Sequence, residues 1–228
     1  MELGERSLHR AIGMSDLASL LSIAFCFPED DRLAGALVDG SFLSDWRASW
    51  QDACGDVSAD DEALIERCAP VFAEARQDGL RKEFSRLFLT PGVDVPIWPY
   101  ESAFRHRAMG APGVPSLFRS RITLDVERQM GEAGVRFSRD RTEPADNVFV
   151  EFEFLAFLHA GEAEAIRCVE DVELWQRRIV GFAHDHALAW LPELMGDCVQ
   201  QSRIGAYRCL AELGKRYLSE LLVDAQRS

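Results

Sequence analysis

Apolar residues recur at helical spacing along nearly all of this chain, and no two alternating apolar runs are joined by a turn pair that could make a hairpin. That pattern restricts the chain to helices packed on helices. Leu17, Leu20, Leu21, Ala24 and Phe25 fall at i, i+3, i+4, i+7 and i+8. They predict a core helix that Ser15 caps and Pro28 stops. Ser58 with Asp61 three residues on predicts the cap of a helix through Ile65, Cys68, Ala69 and Phe72, kinked or ended early by Pro70. Gly79 predicts a break, after which Leu80, Phe84, Leu87 and Phe88 make a short helix. Further helices are expected over Thr123 to Glu132, near Val169 to Trp190 and near Arg203 to Val223. Thr142 to Asn147 reads as a helix start with Pro144 in its first turn. "VFVEFEFLAFL" alternates like a strand, but Val150, Phe154, Phe157 and Leu158 also fit a helix. With helix formers on both sides, it reads as a buried helix. The expectation is an all-α bundle of about ten helices in two closely packed halves, 1–110 and 116–228, forming one compact domain. The Pro-rich loop belongs to the first half, and a hinge at about 110–115 joins the two.

Charge narrows the partners. The net charge is −13 over 228 residues, so a nucleic-acid backbone or an anionic membrane surface is a poor partner and a basic segment a good one. No run approaches the roughly 20 apolar residues of a membrane span. "LASLLSIAFCF" after Arg6 and Arg10 loosely mimics a secretory signal, but Asp16 and "PEDD" stand at its edges. These features point to a cytoplasmic protein. The six cysteines form no CxxC pair and read as small buried hydrophobes of a reducing compartment.

Motifs of catalysis are missing. Neither a phosphate-binding glycine loop nor a nucleophile elbow is present. His184 and His186 are two apart, which on a helix points them about 160° from each other and away from a shared metal. Glu151 and Glu153 fail as an acid/base pair for the same reason, and Glu29 to Asp31 lack the glycine of a calcium loop. No catalytic residue, metal ligand or cofactor is expected. A helical metal- or cofactor-binding protein or enzyme, using His184, His186 or the cysteines, stays open as an alternative, as does a scaffold for a mature partner.

"RLFLTPGVDVPIWPYES", from Arg86 to Ser102, is the odd stretch. Its prolines forbid a helix, yet it carries Leu, Val, Ile, Trp and Tyr. Phe84, Phe88, Ile97, Trp98, Tyr100, Phe104 and Phe118 cluster around it, with Asp94, Glu101 and Asp146 supplying acid. Such a set makes either a satellite core under a long loop or a rigid apolar groove for a peptide.

Three stretches carry a resemblance. "EFSRLFLTPGVDVPIWPYES" resembles the first signature of the TorD/DmsD family, an E-x-x-R-L-F helix end leading into P-Y-E-S. "EPADNVFVEFEFLAFL" is similar to its second, P-x-D-H followed by E-[LF]-x-F, and "HALAWLPEL" to its third, H-x-x-x-W-x-P. The resemblance covers essentially the whole chain and implies an all-helical cytoplasmic chaperone without established turnover. Its clients would be molybdopterin-containing oxidoreductases, whose twin-arginine signal peptide it binds until cofactor insertion is complete. It also implies weak guanine-nucleotide binding in some members, and a monomer or domain-swapped dimer. The peptide-binding residues it implies are Phe88, Trp98, Pro99, Tyr100, Glu101, Ser102, Asp146 and Asn147. Asn147 stands where the family has histidine, so this position cannot titrate near neutral pH. Glu101 and Asp146 are expected at the groove mouth, facing the paired arginines.

Overall fold

The computed structural model describes residues 2–89, 95–110, 112–113, 119–136 and 143–227. Asp94, Phe118, Ala111 and residues 114–115 of the expected hinge lie outside them. The described residues form eleven α-helices and one π-helical turn, with no strand among them. This is the all-α fold the periodicity predicts.

In chain order come α1 (Glu2–Phe25), α2 (Arg32–Val38), α3 (Ser41–Cys54), α4 (Ala59–Ala73), α5 (Gln77–Phe88) and α6 (Glu101–Ala108). They are followed by α7 (Arg121–Glu132), α8 (Val148–Cys168), α9 (Val172–Phe182), a π turn (Ala183–Ala187), α10 (Leu188–Gln201) and α11 (Gly205–Arg227). Buried side chains from α1 through α11 merge into one core cluster.

The centre of the bundle is α1 against α8 and α3. Leu17, Leu21, Ala24 and Phe25 are fully buried, as their spacing predicts. Ser15 is not a cap, because the helix already starts at Glu2. Its hydroxyl instead donates to the Ala156 carbonyl of α8 at 2.9 Å, and Ser22 does the same to Phe149 at 2.9 Å. Gly13 sets the α1–α3 distance. A Cβ there would lie 2.4 Å from both the Ala53 nitrogen and the Ser49 carbonyl, which are backbone and cannot swing away.

Local signals at the other ends hold in part. Ser58 caps α4, accepting from the Asp61 amide at 3.2 Å. Pro70 falls in the last turns of α4, which continues to Ala73. Gly79 does not break α5 but sits in its first turn, where few intrahelical amides need partners. α8 begins at Val148, later than Thr142 to Asn147 suggested, because Asn147 is its cap and accepts from the Phe149 amide at 3.2 Å. The single long helix expected near Val169 to Trp190 is two helices joined by the π turn, just upstream of Pro192. Of the cysteines, Cys68, Cys198 and Cys209 are buried, Cys26 and Cys54 are half-buried, and Cys168 is exposed. No described helix is long and apolar enough to cross a membrane.

Candidate functional site

The strip Pro99 to Ser102 is stitched to the turn that precedes α8. Val148 donates its amide to the Pro99 carbonyl at 2.9 Å, and Glu101 donates to the Asp146 carbonyl at 2.8 Å. Ser102 donates its amide to Asp146 Oδ2 at 2.9 Å. Tyr100 and Asn147 form an isolated antiparallel bridge. Both also converge on one acid. The Tyr100 hydroxyl and the Asn147 amide each donate to Glu143 Oε2 at 3.1 Å. Burial and the Glu143 charge push the Tyr100 hydroxyl far up, so it stays a donor.

Beneath the strip lies a buried polar knot. Glu101 and Asp146 are both 0% exposed. Glu101 Oε1 accepts from Arg105 at 2.6 Å, and Oε2 lies 2.7 Å from His186 Nδ1. The other ring nitrogen of His186 is 3.0 Å from Asp125 Oδ2 on α7. Burial by itself would lower the His186 pKa, but hydrogen bonds and charge from Glu101 and Asp125 outweigh it and raise it. Next to them Glu151 is also fully buried and accepts from Trp190 Nε1 at 2.9 Å. Burial and the neighbouring Glu101 charge hold Glu151 well above the usual carboxylate range, so it keeps its proton. This explains why three distant stretches carry matching motifs. Glu101 comes from the first, Asp146 and Glu151 from the second, His186 and Trp190 from the third.

The expected peptide contacts therefore separate into two groups. Phe88, Pro99, Glu101, Ser102, Asp146 and Asn147 are buried, and in this conformation they shape the strip from below. Glu101 and Asp146 are not at a groove mouth. Their carboxylates are already engaged with Arg105, His186 and the Ser102 amide, and desolvating them is tolerable only with those partners. Trp98 and Tyr100 are half-buried.

Trp98 lines an open cleft of about 330 Å³ between the strip and α10. Pro96, Ile97 and Phe104 supply further apolar wall, and Glu193 and Asp197 supply acid. These two carboxylates stand one helical turn apart, where like charges repel by roughly 0.2–0.5 kcal/mol. Burial and the Glu193 charge raise the Asp197 pKa, against the opposing pull of Arg107. Arg107 itself is turned to the backbone, donating to the carbonyls of Val95 and Pro96 at 2.7 and 3.2 Å. The arrangement leaves two acids beside an aromatic wall, which suits a guanidinium carried on a partly apolar chain. Sequence reading missed Glu193 and Asp197. Their i, i+4 spacing was visible, but nothing in it said that Trp98 would lie opposite.

Residues 54–196 match the family described as nitrate reductase delta subunit. The chain belongs to this family. Proteins similar to this chain include several named chaperone protein TorD, in line with the TorD/DmsD motifs. That of Vibrio parahaemolyticus is 27% identical over 103 residues, 44% of this chain and 46% of the relative. The Vibrio cholerae protein is 26% identical over 148 residues, 64% of this chain and 63% of the relative. The Escherichia coli O81 protein is 28% identical over 137 residues, 59% and 57% of the two chains. The matched stretches thus span between 46% and 63% of these relatives' own length. A solved candidate redox enzyme maturation protein from Archaeoglobus fulgidus shares the fold, with a TM-score of 0.52 and 18% identity over 90% of this chain and 94% of that one.

Proposed function

We propose that this member of the nitrate reductase delta subunit family is a cytoplasmic chaperone that binds the twin-arginine leader of a molybdopterin-containing oxidoreductase and holds the apoenzyme until its cofactor is inserted. The leader would lie in the cleft beside Trp98. Its arginines meet Glu193 and Asp197, and its apolar residues meet Trp98 and Pro96. The observation that carries the reading is this acid pair facing an aromatic wall. A guanidinium there relieves the repulsion between two like charges and gains charge-assisted hydrogen bonds. The buried motif residues hold the strip that presents Trp98, and no catalytic step is assigned to any of them. Family membership and the TorD relatives support the same reading.

Calorimetry with synthetic twin-arginine leaders tests it. A client leader binds, and replacing both arginines by lysine weakens it, because lysine cannot make the two parallel hydrogen bonds of a guanidinium. Trp98→Ala lowers leader affinity by more than it lowers unfolding free energy. Equal losses would return Trp98 to a packing role.

A further inference from the structure

A second cavity, of about 400 Å³, opens between α1, α8, α9 and α11, and its lining residues belong neither to the strip nor to the Trp98 cleft. At its floor is His159, 2% exposed, with no hydrogen-bond partner on either ring nitrogen. The nearest carboxylate oxygen, Glu162 Oε2, is 3.6 Å from Nδ1, beyond hydrogen-bond length. A buried imidazole left this way is costly, so the site is built for something that reaches it.

Charge says what that is. Burial would raise the Glu162 pKa, but the neighbouring His159 ring, the Gln176 hydrogen bond and the Arg10 charge outweigh it and lower it, so the carboxyl stays ionised. Gln176 donates to its other oxygen at 2.9 Å. Arg10, the guanidinium at the edge of the cavity, is already committed. It donates to Asp224 at 2.6 and 3.1 Å, to Glu220 at 3.4 Å and to the Ala53 carbonyl at 2.6 Å. Two carboxylates, Asp224 and Glu220, already hold that guanidinium and Glu162 adds a third acid to the cavity, which makes it a poor anion site and a good cation site. A bare metal ion does not fit, since no group of three or more metal-ligating side chains gathers among the described residues. Met14, Ile179 and Val180 form an apolar wall suited to methylene groups.

We propose that this cavity binds a primary alkylammonium group, free or on a lysine side chain. The ammonium donates to Glu162 and to a ring nitrogen of His159, and its alkyl chain lies along Val180. No part of this rests on the leader cleft.

The test is a proton–nitrogen correlation spectrum of the His159 ring in the full chain. It is titrated with n-butylammonium chloride, with Nα-acetyl-lysine methylamide and with sodium chloride at matched ionic strength. The expected result is a saturable His159 shift at millimolar amine that sodium chloride does not reproduce. It should weaken about tenfold in Glu162→Gln, with the circular dichroism unchanged. Tighter binding of the lysine amide assigns the site to a protein partner, and tighter butylammonium binding assigns it to a free amine. A non-saturable shift from both amines overturns the proposal. So does an equal shift in Glu162→Gln, or a crystal structure soaked in amine in which ordered water alone contacts both ring nitrogens.

Discussion

Two pairs of acids flank the same strip and live in opposite conditions. Glu101 and Asp146 are sealed under it, each carboxylate matched to a donor. Glu193 and Asp197 open onto the cleft and repel each other. The first pair lies within the sequence motifs that mark the family's expected binding site. The second pair has the geometry to bind. The acids of the motif hold the chain together, and the open acids are the ones left accessible.

The largest effect expected is on the buried pair. Glu101→Ala leaves His186 and Arg105 facing an empty site, and breaking such a pair costs about 3–5 kcal/mol. Urea unfolding measures it. A folded, stable Glu101→Ala that loses leader binding would break the comparison, because Glu101 would then be a contact. The open pair should behave inversely. Glu193→Gln with Asp197→Asn lowers leader affinity by roughly one to two orders of magnitude, as loss of charge-assisted hydrogen bonds does. Unfolding free energy stays level or rises by about 0.2–0.5 kcal/mol as the repulsion is removed. Calorimetry and urea titration on the same variant read both numbers.

Third in size is a pH effect confined to the buried side. The folded pKa of Glu151 lies above its ordinary value of 4.5, chiefly through burial and the Glu101 charge. Its contribution to stability is therefore complete below that value and is lost as pH rises toward the folded pKa. His186, raised from 6.5, has the same sign. Asp125 is lowered, so its contribution is present above 3.8 and lost on acidification. Glu151→Gln keeps an acceptor for Trp190 and removes the titration. It is expected to match the parent below pH 4.5 and to exceed it increasingly toward neutrality in pH-dependent unfolding. A constant offset across pH would mean that Glu151 does not titrate between the two states. The smallest effect expected is for Tyr100→Phe. Removing the hydrogen bond to Glu143 from a half-buried ring costs about 0.5–1.5 kcal/mol and sharpens the comparison by separating the strip's anchoring from its exposed face.

Much of the fold was legible because helices announce themselves locally. The face formed by Leu17, Leu21, Ala24 and Phe25 and the Ser58 cap depend on residues within a few positions of each other. Where the reading slipped, the deciding partner was distant. Ser15 looked like a cap because its bond to Ala156 spans 141 residues. The long helix expected through Val169 to Trp190 hid a π turn whose His186 is fixed by Glu101, 85 residues away. At the site, Trp98 and Tyr100 kept the partial exposure that a contact role needs, whereas Glu101 and Asp146 did not.

By itself, the sequence determined an all-helical chain, its main core faces, its acidic charge and the family its three motifs announce. Periodicity, capping and charge are properties of neighbouring residues or of simple counts, so they survive without coordinates. Only the tertiary structure decided which acids are spent inside and which are left open. Burial and pairing depend on residues far apart in the chain, and the cost of a lone buried charge makes those long-range partners decisive.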